Sequence, residues 1–163
     1  MKQEQFDAAI DEWRAYQNNP RGRIRAILLG QGTLQHAPAA PCAVLDIGAG
    51  TGELAGELAA LGHRVTLADY SPAMLAAARE RLGNAVTYAE LDLGADQPLP
   101  GAPFGLIVCH NVIEYAPDMA AAMRHLAQAL RPGGVLSLAF GNARHAPLNS
   151  AVVRHDLARA SRE

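Results

Sequence analysis

The sequence predicts an α/β domain in which helices cover both faces of a doubly wound parallel sheet. From Ala43 onward, short apolar or β-branched runs alternate with helical runs, the pattern of right-handed βαβ units. A glycine-rich turn, GAGTG, directly follows the first apolar run, at the sheet edge where such folds bind ligands. The chain has 163 residues, half of them apolar, which suffices for one domain with a sizeable core.

The first 41 residues are expected to form a helical lid in front of the sheet. Phe6, Ile10, Trp13 and Tyr16 recur at helical spacing, and NNPRG (Asn18–Gly22) separates this run from a second one, RIRAILLGQGTL. Four arginines and no acid lie between residues 13 and 45. They form either a solvated basic face or a clamp for a carboxylate, which a guanidinium matches well.

Strands and helices then alternate along residues 42–142, the predicted main domain. Ser71 and Pro72 form a helix start, and RPGG (Arg131–Gly134) forms a helix stop. The predicted helical runs are ELAGELAAL, PAMLAAARERL and DMAAAMRHLAQAL. The predicted strands are Ala43–Ile47, Arg64–Asp69, Ala85–Leu91, Gly105–His110 and Val135–Phe140.

Composition and charge exclude several classes of protein. No run of about 18 residues is free of charges and proline, so no membrane span is expected. The acids in MKQEQFDAAI argue against export, and the two cysteines, Cys42 and Cys109, fit a cytoplasmic setting. The net charge of −2 gives no general attraction to nucleic acid. The histidines lack the spacing of metal ligands, so no metal site is expected.

The glycine turn carries the most chemical information. Asp46, Gly48, Gly50 and Gly52 lie where the first strand meets the first helix, and Asp69 ends the next strand. A carboxylate at that position suits the two hydroxyls of a ribose. The third glycine comes too early for the dinucleotide pattern G-x-G-x-x-G, and an acid, Glu53, lies where a pyrophosphate would bind. S-adenosylmethionine has no phosphate, and its ammonium and sulfonium suit Asp46.

Five motifs, in order, resemble the class I S-adenosylmethionine-dependent methyltransferases over Cys42–Asn142. They are VLDIGAGTG, VTLADYSPAML, LDL before QPLP, FGLIVCHNVIEYAPD and LRPGGVLSLAF. The resemblance implies a Rossmann-like sheet with strand order 3-2-1-4-5, here without the family's usual last two strands. Residues 143–163 are then expected to form a tail with one short helix, Ala151–Ala160. The exposed fifth strand would be covered by that helix or by a homodimer partner.

The resemblance also implies which residues bind the cofactor. Gly48, Ala49 and Gly50 would lie along the methionine portion, Asp69 would hold the ribose and Tyr70 would pack on adenine. Asp92 and Leu93 would flank the adenine, with Asp96 a competitor for the role of Asp92. His110, at the end of the fourth strand, would face the site of methyl transfer.

A narrower resemblance concerns both ends of the chain. PRGRIRAIL and RPGGVLSLAFGNARH are similar to the methyltransferases that esterify 5-carboxymethoxyuridine in tRNA. In that family an N-terminal arginine contacts the cofactor, and Arg25 is the matching position.

The resulting hypothesis is methyl transfer to an oxygen acceptor on a small molecule or a modified tRNA. A carboxylate acceptor needs no general base, and no catalytic residue is assigned; for a hydroxyl acceptor, His110 is the first candidate base. Cys109 and His110 point to opposite sides of their strand, which argues against a Cys–His nucleophile. The alternatives are a truncated cofactor-binding domain or partner subunit without catalysis, and a nicotinamide oxidoreductase, which the glycine spacing disfavours.

Overall fold

The fold is a five-stranded parallel sheet with helices on both faces, seen in a computed structural model that describes residues 15–16, 19–95 and 97–142. The strand order is β3-β2-β1-β4-β5 and every pairing is parallel, which confirms the predicted topology. The strands are β1 (Ala43–Ile47), β2 (Arg64–Asp69), β3 (Thr87–Glu90), β4 (Phe104–His110) and β5 (Leu130–Ala139). The helices are α1 (Pro20–His36), α2 (Glu53–Ala60), α3 (Pro72–Leu82) and α4 (Met119–Ala129), with a 3₁₀ turn at Ile113–Tyr115.

Side-chain caps fix the starts of three helices. Asn19 accepts a hydrogen bond from Gly22 N at 2.8 Å and Pro20 follows it at the first helical position of α1. Ser71 caps α3 and Asp118 caps α4 in the same way. The described part of the predicted break, Asn19–Gly22, therefore lies at the start of α1, and the predicted start at Ser71 and Pro72 is confirmed.

The sheet separates two apolar cores. On one face, α1, α2 and α3 pack over a cluster that includes Val44, Leu58 and Leu106. On the other, α4 and the segment between β3 and β4 pack over a cluster that includes Ile47 and Leu126. Both core faces draw on β1 and β4, so these central strands hold the groups at their carboxyl ends rigidly.

The fifth strand begins earlier than the sequence predicted. Leu130 pairs with Phe104 and Val135 with Leu106, so Arg131–Gly134 bulge out opposite a single residue of β4. The RPGG segment does follow the end of α4, as predicted, but it lies inside the strand. Sequence patterns could not show this, because the pairing of Leu130 depends on a partner 26 positions away. The third strand is shorter than predicted, and the fourth begins one residue earlier.

Some predictions lie outside the described residues. These are the N-terminal positions Phe6, Ile10 and Trp13, the tail helix Ala151–Ala160, and Asp96. Of the helices that the structure describes, none combines the length and apolarity needed to cross a membrane.

Candidate functional site

A cavity of about 730 Å³ opens at the carboxyl ends of β1 and β4, beneath α1. This is the edge at which α/β sheets bind ligands, and the volume is typical of small-molecule sites. Its lining includes the predicted site residues Arg25, Gly48, Ala49 and His110, together with Asp46, Glu53 and Asn111.

The glycine turn after β1 forms one wall of the cavity. Gly48 N and Ala49 N both donate to the carbonyl oxygen of Ala68, at 2.8 and 3.1 Å, which binds the turn to the end of β2. Gly48 has φ +65°, and a Cβ there would lie 2.0 Å from Cγ2 of Val112. Only glycine fits both the backbone conformation and the space, so the wall presents bare backbone to the cavity.

Asp69 connects the carboxyl ends of β1 and β2. One carboxylate oxygen accepts from Gly50 N at 2.8 Å and the other from Ser71 N at 2.9 Å. The side chain is 8% exposed and does not line the cavity. In this structure Asp69 therefore orients the glycine turn and the start of α3.

Asp46 places a buried acid beneath the turn. Burial raises its pKa to about 7, and the negative charges of Asp69 and Glu53 act in the same direction. A hydrogen bond from the backbone of Ala55 opposes this rise. The two buried carboxylates of Asp46 and Asp69, with Glu53 nearby, favour a cationic ligand, because a cation would relieve their repulsion.

His110 ends β4 and reaches the cavity from the opposite wall. Its Nε2 lies 2.8 Å from Oγ of Ser137 on β5. Burial lowers the pKa of His110 to about 4, and the nearby Arg25 guanidinium adds to the effect. The imidazole is therefore neutral at pH 7.

Arg25 crosses from α1 to the end of β4. Its Nη1 donates to Oδ1 of Asn111 at 3.3 Å, and its guanidinium lies 5.2 Å from the centre of the Tyr16 ring. Asn111 has φ +57° and its backbone N donates to the carbonyl oxygen of Ala139 at 2.6 Å. The positive charge of Arg25 thus lies near His110.

The remaining predicted residues lie apart from this cavity. Tyr70 is half-buried, Leu93 is buried, and Asp92 is exposed with its Oδ1 accepting from Gly94 N at 2.8 Å. None of these lines the cavity, and neither do Gly50 and Asp69. The structure brings together Arg25, Gly48, Ala49 and His110 in the lining of the cavity, whereas Gly50 and the predicted adenosine-side residues are not part of that lining.

Several residues near the site were not predicted from the sequence. Asn111 follows His110 and could have been noticed as a polar residue at a strand end. Arg81 pairs with Glu53 across 28 positions, and Thr33 and Ser137 meet at 2.8 Å across 104 positions. These contacts depend on how the helices pack, and no local sequence pattern predicts them.

Cysteine chemistry and metal binding gain no support here. Cys109 lies in the core, on the face opposite α1, and burial raises the pKa of its thiol to about 12. Within residues 15–16, 19–95 and 97–142, no three His, Cys, Asp or Glu side chains are grouped so as to hold a metal ion.

Residues 45–136 match the family model of a methyltransferase domain, which is more than half of the chain. The chain belongs to this family. The class predicted from the sequence, the S-adenosylmethionine-dependent methyltransferases of class I, is confirmed, and so is the cofactor S-adenosylmethionine.

Two curated relatives illustrate the range of acceptors. The tRNA 5-carboxymethoxyuridine methyltransferase of Escherichia coli K12 is 32% identical over 152 residues, covering 88% of this chain and 58% of the relative. The ubiquinone biosynthesis O-methyltransferase of Xylella fastidiosa is 38% identical over 125 residues, covering 73% of this chain and 50% of the relative. The chain thus spans about half the length of the curated relatives it matches.

A solved structure supports the same assignment. The N-methyltransferase NodS of Bradyrhizobium japonicum WM9, in complex with S-adenosylhomocysteine, superposes with a TM-score of 0.67. It is 28% identical, and the match covers 82% of this chain and 68% of NodS.

Proposed function

We propose that this chain transfers a methyl group from S-adenosylmethionine to an oxygen acceptor. The observation that supports this best is the cavity at the ends of β1 and β4, which combines a bare glycine turn, a buried acid and a neutral histidine. The curated relatives quoted above transfer methyl groups in tRNA modification and in ubiquinone biosynthesis, according to their names. The comparisons do not favour the alternative of a catalytically incompetent domain.

The residues present fit the methionine portion of the cofactor. Asp46 would neutralise the ammonium and sulfonium charges, and this would also relieve the repulsion that raises its pKa. Gly48 and Ala49 would lie along the chain of the ligand, because no side chain of Gly48 blocks the approach. Arg25 would bind the carboxylate through its planar fork of N–H donors.

The adenosine portion would extend toward Asp69 and the segment after β3. Asp69 would hold the ribose hydroxyls through its carboxylate oxygens, which also accept from Gly50 N and Ser71 N. Tyr70 would pack on the adenine, Leu93 would flank it, and Asp92 would accept from its exocyclic amine. Since none of Asp69, Tyr70, Asp92 and Leu93 lines the cavity, this half of the site is proposed from the family resemblance.

The chain's own residues would act mainly by orientation. The bound cofactor supplies an electrophilic methyl group. Asp46 and Arg25 would fix its methionine end at opposite sides of the cavity, and α1 would cover the site and exclude water. His110 would face the acceptor from β4. The acceptor oxygen is either a carboxylate, as in a 5-carboxymethoxyuridine, or a hydroxyl, as in a small phenol.

Cofactor binding is the first test. Calorimetric titration with S-adenosylmethionine and S-adenosylhomocysteine would compare the wild type with Asp46→Asn and with Glu57→Gln. Glu57 lines the same cavity but is exposed, so it is a matched control for lost charge. We expect Asp46→Asn to weaken S-adenosylmethionine binding tenfold or more, since a charge-assisted contact contributes about 1.5–3 kcal/mol. Equal affinities for all three proteins would contradict the assignment of Asp46.

Methyl transfer is the second test. The wild type and its labelled cofactor would be incubated with bulk tRNA, a panel of phenols and a panel of carboxylic acids. We expect transfer to at least one oxygen acceptor. Cofactor binding without transfer to any of them would support the catalytically incompetent domain instead.

We also propose that a second copy of the chain covers the edge of β5. Among the described strands, β5 pairs only with β4, and an unpaired strand edge attracts another strand. The exposed Phe140 directly follows β5. Multi-angle light scattering would test this, and a monomeric mass at every concentration would contradict the homodimer.

A further inference from the structure

A chain of hydrogen bonds connects His110 to helix α1. Nε2 of His110 lies 2.8 Å from Oγ of Ser137 on β5. That oxygen lies 2.8 Å from Oγ1 of Thr33 on α1, and Thr33 in turn donates to the carbonyl oxygen of Leu29 at 2.9 Å. Thr33 is 3% exposed and Ser137 is half-buried.

The number of protons in this chain fixes the tautomer of His110. Each hydroxyl has a single proton to donate. Thr33 uses its proton on Leu29, so Ser137 must donate to Thr33. Ser137 then has no proton for the ring, and Nε2 of His110 must carry the hydrogen and donate it to Ser137. The lone pair of the neutral ring is therefore on Nδ1.

The Nδ1 atom is left for a ligand. His110 lines the cavity beneath α1, whereas Ser137 and Thr33 lie against a smaller cavity of about 270 Å³ between α1 and β5. In the part of the chain that the structure describes, Nδ1 makes no hydrogen bond. The ring stays neutral at pH 7, because burial and the charge of Arg25 lower the pKa of His110.

We propose that Thr33 and Ser137 are positioning residues that hold His110 as the Nε2–H tautomer, so that its Nδ1 accepts the proton of a hydroxyl methyl acceptor. This inference rests on the proposed function and narrows its acceptor class to hydroxyls. A phenol or alcohol keeps its proton at pH 7 and donates it to Nδ1. A carboxylate is ionised and has no proton, so it would face the Nδ1 lone pair with repulsion.

The reaction then balances without a further reagent. The acceptor oxygen forms a bond to the methyl carbon as the sulfur–methyl bond breaks, and that electron pair remains on the sulfur of S-adenosylhomocysteine. The hydroxyl proton passes to Nδ1 of His110. The Nε2–H bond to Ser137 is kept throughout, and the imidazolium returns its proton to water after the products leave.

Nuclear magnetic resonance of ¹⁵N-histidine-labelled protein tests the tautomer without any activity. His110→Gln identifies the His110 signals. We expect the wild type to show Nε2 as the protonated nitrogen from pH 6 to pH 8. Thr33→Val removes the acceptor for the Ser137 hydroxyl, which then turns to donate to Nε2, so we expect the ring to shift toward the Nδ1–H form. Thr33→Ser keeps the hydroxyl and should keep the wild-type tautomer.

Kinetics test the acceptor class with the phenol and acid panels. With the best phenol, we expect His110→Gln to lower kcat about 100-fold, the lower end of the range for general bases, because the lowered pKa of His110 makes its Nδ1 a weaker base. Thr33→Val should lower kcat with KM and cofactor affinity unchanged, and Thr33→Ser should restore it. Thermal unfolding with normal cooperativity would confirm that the variants fold.

Four outcomes would overturn the inference. An Nδ1–H or cationic His110 in the wild type contradicts the positioning role, and so does an unchanged tautomer in Thr33→Val. Transfer to acids but to no phenol overturns the hydroxyl assignment and leaves the proposed function intact. Failure of the wild type to bind S-adenosylmethionine overturns both together, so the two failures are distinguishable.

Discussion

Gly48→Ala tests the glycine turn most directly. Gly48 has φ +65°, where an alanine costs about 1–2 kcal/mol. The new Cβ would also lie 2.0 Å from Cγ2 of Val112 and within 3.1 Å of its other two side-chain carbons. Because all three carbons crowd the new methyl, rotating Val112 would not relieve the overlap, and overpacking of this kind costs about 1–3 kcal/mol. We therefore expect a total loss of about 2–5 kcal/mol.

Urea denaturation would measure the free energy of unfolding of three variants. The double variant Gly48→Ala/Val112→Ala removes the Val112 methyls but leaves the backbone strain, so it should recover only the packing part of the loss. Gly32→Ala is the matched control, since Gly32 is helical and exposed with no atom within 4 Å of its added Cβ. It should be neutral or stabilising by up to about 1 kcal/mol. A loss below 1 kcal/mol for Gly48→Ala, or complete recovery in the double variant, would refute this account of the turn.

Substitutions at three further positions, Asp46, Asp69 and Arg25, probe the charges of the site. The pKa of Asp46 is raised from 3.8 to about 7 in the folded protein, so between pH 4 and 7 the native state binds a proton that the unfolded state has lost. The free energy of unfolding should therefore fall as pH rises through this range. Urea denaturation at several pH values should show a flatter slope for Asp46→Asn than for the wild type. Asp69→Ala leaves Gly50 N and Ser71 N without their acceptor and should lower the free energy of unfolding by about 2–6 kcal/mol, whereas Asp69→Asn keeps one acceptor oxygen and should lose about half as much. Arg25→Gln removes the cation that helps to lower the pKa of His110, so this pKa should rise toward its ordinary value. A pH titration of the histidine signals by nuclear magnetic resonance would measure it. An unchanged pKa would exclude an effect of the Arg25 charge.

Local signals in the sequence were sufficient to predict the order of strands and helices in the sheet. Alternating strand and helix runs, the cap at Ser71 and the glycine turn each depend on a few neighbouring residues, and the structure has all three where predicted. The error at the start of β5 has the opposite origin. Leu130 joins the strand through a partner on β4, and the bulge of Arg131–Gly134 separates it from the apolar run that the sequence displays.

The candidate site was predictable only in part, for the same physical reason. Gly48, Ala49 and His110 follow strands whose carboxyl ends must meet at one edge, so their proximity follows from topology. The partners of His110 come from elsewhere: Ser137 lies on the neighbouring strand and Thr33 on a helix before the sheet. How α1 crosses the sheet is set by packing, and packing has no short sequence signature.

Helix α1 therefore has a larger role than that of a cover. Arg25 and Thr33 are eight residues apart, about 12 Å along a helix, and both connect to the end of β4, one through Asn111 and the other through Ser137. A shift of α1 by one turn would move the charge of Arg25 away from His110 and break the hydrogen bond between Thr33 and Ser137. Burial and the charge of Arg25 together lower the pKa of His110, and Thr33 acts on the ring through Ser137. The two contacts of α1 should therefore be lost together. The position of α1 would thus set both the pKa and the ring orientation of His110.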